Sequence, residues 1–143
     1  MNEDTKHLLE QCTSGCKMAV ESMNQIKGYI KDQKLLDIVT NCVEQHEELE
    51  EVAANLLDEV GDEEKEPGMM ATAFSWITTE MKMMMENDNH QAAKLMMDGC
   101  NMGIQKICEY QNQYTQASEE AKDIARKLVR IEEDFMGEMK AFI

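Results

Sequence analysis

Leu35, Val39, Cys42, His46, Leu49, Ala53, Leu56 and Val60 recur at alternating steps of three and four without a slip. That rhythm lines one face of an α-helix and is incompatible with the two-residue alternation of a strand. A stripe this long must be covered by partner elements, so the chain has to build a helical core around it. The same spacing carries Leu9, Cys12, Cys16, Ala19, Met23, Ile26 and Ile30, which predicts a first helix over residues 5–31 with Asp4 as N-cap. Asp32 caps the second helix, 33–60, and Gly61 offers its C-terminal stop.

Three further helices follow. Met70, Phe74, Ile77, Met81 and Met84 mark a shorter one over 69–86. Asp88 with Gln91 forms a capping box for a fourth, 89–115, which carries Ala93, Met96 or Met97, Cys100, Gly103 or Ile104, and Ile107. Ser118, followed by Glu119 and Glu120, opens a fifth over 118–142, with Ala121, Ile124, Leu128, Ile131, Phe135, Met139 and Phe142 on its seam. The first, second, fourth and fifth helices are each about 25 residues, or ~38 Å. Short turns make them two antiparallel hairpins, joined by a crossover over 61–88 that is long enough to begin the second hairpin at either end. The expectation is all-α: one domain over 1–143, an up-down four-helix bundle with a shorter fifth helix in the crossover.

Charge narrows the partners. With 29 acidic against 14 basic residues and a net charge of −15, the surface repels nucleic acid and the anionic membrane face. Eleven carboxylates and one lysine lie between Glu44 and Glu66, the pattern of a solvated helix face and its exit loop. The start MNEDTKHLLEQ is not a secretory signal, and no apolar run approaches the ~20 residues of a membrane span, so a cytoplasmic protein is expected. Five cysteines inside helical patterns indicate reduced thiols rather than a disulfide framework.

NCVEQHEELEEVAANLLDEVGDEEKEPG resembles the second helix and exit loop of small rubrerythrin-related proteins. DGCNMGIQKICEYQNQY and LVRIEEDFMGEMKAF are similar to the start of their third bundle helix and to their last helix. Together with the two hairpins and long crossover, these segments resemble the ferritin-like superfamily over nearly the whole chain. In its metal-binding members, two helices each supply a Glu and two each supply a Glu-x-x-His to a di-metal centre. Carried over by position, His46 matches the histidine of the second helix, with Val43 where the glutamate belongs. Glu132 matches the glutamate of the last helix, with Phe135 at the histidine position. Cys100 and Asn101 follow Gly99 where the third bundle helix has its Glu, and the first helix offers Cys16 and Ala19 on its seam. Two clustered hard cations need several carboxylates, so the resemblance implies a degenerate centre.

Soft ligands remain. Cys12, Cys16, Cys42 and His46 face one interior, but Cys16 and His46 lie almost level while Cys12 and Cys42 are displaced in opposite directions by about one 5.4 Å turn each, so the four cannot share an ion. A looser set of Cys16 and His46 with Cys100 or Glu132 can be drawn, for iron, manganese or zinc. Against it stands the plainer reading of cysteines as small apolar core residues and His46 as a hydrogen-bonded polar packing residue. A thiol sensor needs exposure and positive neighbours; Cys108, beside the seam, is the thiol nearest the surface.

Nine of the 14 methionines fall between Met69 and Met102. Met70, Phe74, Trp76, Ile77, Met81 and Met84 predict an association face on the crossover helix, for a second copy, as a dimer, or for another protein. The reading is a non-enzymatic, self-associating ferritin-like protein with no cofactor. Its alternative is a metal-binding protein or oxidoreductase with a non-standard site around His46.

Overall fold

The computed structural model describes residues 2–59 and 89–143. Four long helices make up these residues: α1 (Glu3–Lys27), α2 (Gln33–Asp58), α3 (Asn89–Gln113) and α4 (Glu119–Met139), followed by a short 3-10 turn, Lys140–Phe142. No strand occurs among the described residues. The expected 69–86 helix, the Gly61 stop, the Asp88 cap and the whole association face (Met70, Phe74, Trp76, Ile77, Met81 and Met84) lie outside the described residues.

The helix starts are set by side-chain caps. Asp32 accepts from Leu35 N and Ser118 from Ala121 N, as the sequence predicts. The cap of α1 is a correction: Asn2, not Asp4, accepts from Thr5 N. Asp4 already lies in the first turn, where its carboxylate favours the helix dipole and also accepts from Gln116 N at 2.9 Å. The ends are corrected as well. α1 closes at Lys27 rather than 31, because Tyr29 N and Ile30 N fold back onto the carbonyls of Ile26 and Lys27, returning Ile30 to the core. α2 ends at Asp58, where Leu57 is fully buried and Leu56 only partly, so the stripe drifts by one residue over its last turn.

Each hairpin is antiparallel, α1 with α2 and α3 with α4, and α4 also packs on both helices of the first hairpin. End contacts fix the directions. Lys31 N and Asp32 N donate to Asn89 Oδ1, so α3 begins beside the α1–α2 turn. At the opposite end Asn2 donates to Gln116 O and Ser118 N donates to Thr5 Oγ1, so α4 begins beside the start of α1. The order is therefore up, down, down, up: α1 is parallel to α4 and α2 to α3. The chain leaves α2 at one end of the bundle and enters α3 at the other.

The apolar interior divides into two clusters. One holds Met23, Ile26, Leu35, Val39, Cys42, Val43, Met96, Cys100, Phe135 and Met139 near the α1–α2 turn. The other holds Leu8, Leu9, Cys12, Cys16, Leu49, Leu57, Ile107, Ile124 and Leu128 toward the α3–α4 turn. Ile131 packs against both. On α2 the boundary falls between Val43 and Leu49, and on α4 between Leu128 and Phe135. His46 and Glu132 stand at that boundary.

Candidate functional site

Helical spacing directs His46 inward from α2, on the stripe of Val39, Cys42, Leu49 and Ala53, and Glu132 inward from α4 on the stripe of Leu128 and Phe135. Both are buried, His46 at 0 % exposure and Glu132 at 3 %. His46 Nε2 lies 3.5 Å from Glu132 Oε1, within ion-pair reach and too long for a strong hydrogen bond. His46 Nδ1 is 2.8 Å from the carbonyl of Cys42. A carbonyl only accepts, so Nδ1 carries a hydrogen and Nε2 is the ring atom turned to Glu132.

Nε2 of His46 and Oε2 of Glu132 have no hydrogen-bond partner among the described residues. Unsatisfied buried polar atoms are costly, on the order of 1–3 kcal/mol each, and mark the one polar point in an otherwise apolar cross-section. Burial pushes the Glu132 carboxyl above its ordinary value, and the His46 contact works in the opposite direction.

α3 contributes a gap rather than a side chain. A Cβ at Gly103 would fall 2.6 Å from Glu132 Oε2 and 2.9 Å from Oε1. Only glycine lets the carboxylate lie this close to the α3 backbone. Two thiols complete the surroundings: Cys42, with Sγ 3.6 Å from His46 Nδ1, and Cys100. Burial raises the pKa of both, and the charge of Glu132 raises them further. Both therefore stay protonated at neutral pH.

Of the residues singled out in the sequence, the structure brings His46 and Glu132 together and puts Cys100 in the same apolar cluster as Cys42. Cys16 belongs to the other cluster. Among the described residues no three of His, Cys, Asp and Glu are arranged to hold a metal ion, so the looser set of Cys16, His46, Cys100 and Glu132 is not assembled as one site. None of the five cysteines is in a disulfide, and Cys108 is half-buried where the other four are buried. Sequence reasoning missed the part played by Gly103. Its signal was a glycine inside a long helix, which costs roughly 0.5–1 kcal/mol relative to alanine unless a close approach requires it.

No protein-family model matches this chain, and no curated protein or solved structure matches it either. No helix among the described residues is long and apolar enough to cross a membrane.

Proposed function

We propose that this is a ferritin-like bundle whose di-metal centre has become a structural His–Glu keystone, and that the protein acts without catalysis, through self-association in the cytoplasm. The up-down-down-up order supports the ferritin-like reading, because that topology needs a crossover running the length of the bundle. The observation that carries the degenerate centre is what fills the ligand positions: Phe135, Val43 and Cys100 are 1 %, 5 % and 0 % exposed and pack in the apolar cluster beside the pair. Phe135 occupies the volume a second histidine would need, and two cations cannot be neutralised by Glu132 alone. The residues present do not fit a di-iron centre.

The test has two arms. Light scattering across a dilution series should give a dimer or larger species. Elemental analysis of protein purified without chelators should give well under one metal per chain. A strict monomer at high concentration would remove the self-association half of the reading. Two bound metals per chain would remove the keystone half.

One observation favours a second reading, a metal-binding protein or oxidoreductase with a site around His46. Nε2 of His46 and Oε2 of Glu132 are two potential ligand atoms, buried and without hydrogen-bond partners among the described residues, on side chains that meet between α2 and α4. Near-stoichiometric iron, manganese or zinc that disappears in His46→Ala would establish it.

A further inference from the structure

We draw no further inference here: the strongest candidate, the open groove between α2 and α4 over Leu49, Val52 and Ile131, is rimmed by charges of both signs, Glu48 and Asp134 as well as Lys127 and Arg130, and nothing in the structure shows what covers it.

Discussion

Cys12 is fully buried, and burial alone pushes its thiol from an ordinary 9.0 up to about 12. The folded protein thus keeps a proton that the unfolded chain releases above pH 9, so the folded state binds more protons there and stability falls as pH rises. Below pH 9 this contribution is fully present. Between pH 9 and 10 we expect urea unfolding of the native chain to weaken by about 1 kcal/mol more than that of Cys12→Ala. A small thiol reagent at pH 8 should label Cys108 rapidly and leave Cys12, Cys42 and Cys100 unlabelled until the protein unfolds, as peptide mapping would reveal. At Gly103 the outcome turns on steric clash. Alanine there would gain up to ~1 kcal/mol of helix propensity but drives its Cβ into the Glu132 carboxylate. A net loss of about 1–3 kcal/mol is expected, as for other overpacked interiors. In a Glu132→Ala background the same glycine replacement should become neutral or stabilising, and a double-mutant cycle by urea denaturation measures the difference. His46 and Glu132 were legible as inward-facing residues because helical spacing assigns faces. That they share one site was expected only through the family resemblance, since helical spacing does not say how one hairpin slides along the other.

The helices owe their starts to local chemistry and their docking to a few end contacts. Ser118 does both: its hydroxyl accepts from Ala121 N while its backbone N–H donates to Thr5 across the hairpins. Ser118→Ala should cost about 1 kcal/mol through the lost cap. Asn89 is the counterpart at the opposite end, where its side-chain oxygen accepts from both Lys31 N and Asp32 N. Asn89→Ala should cost a similar ~1 kcal/mol, the net worth of a typical hydrogen bond, with faster amide exchange at Lys31 and Asp32 as its local signature. Asp32 and Ser118 could be named from sequence because a capping residue interacts with its own helix. Asn2 was missed because Asp4, two residues further on, is also a capping residue type; with Asn2 as the cap, Asp4 reaches Gln116.

At the scale of the molecule, α2 ends where α1 begins, while α3 begins at the other end. A connection from α2 to α3 has to cover the length of α2, 26 residues or about 39 Å. Extended chain covers at most ~3.3–3.6 Å per residue, so at least ~12 residues are needed. Replacing residues 60–88 with Gly/Ser linkers of decreasing length should leave the bundle folded down to a threshold near that number and abolish the native order below it. Thermal unfolding followed by circular dichroism, with the Asn89 contact monitored by NMR, gives the readout. A four-residue linker that left the native order intact would contradict the up-down-down-up arrangement.

Periodicity alone determined that the chain is helical, which face of each helix turns inward, and where most helices begin, because those properties depend on residues three and four apart. Helix direction, the 46–132 register and the need for Gly103 were decided only by tertiary structure. Each involves backbone groups or side chains that meet across more than 25 positions in sequence, as Asn89 does with Lys31 and Glu132 with Gly103. Such meetings follow from how two apolar stripes interlock, and no spacing within one helix encodes that.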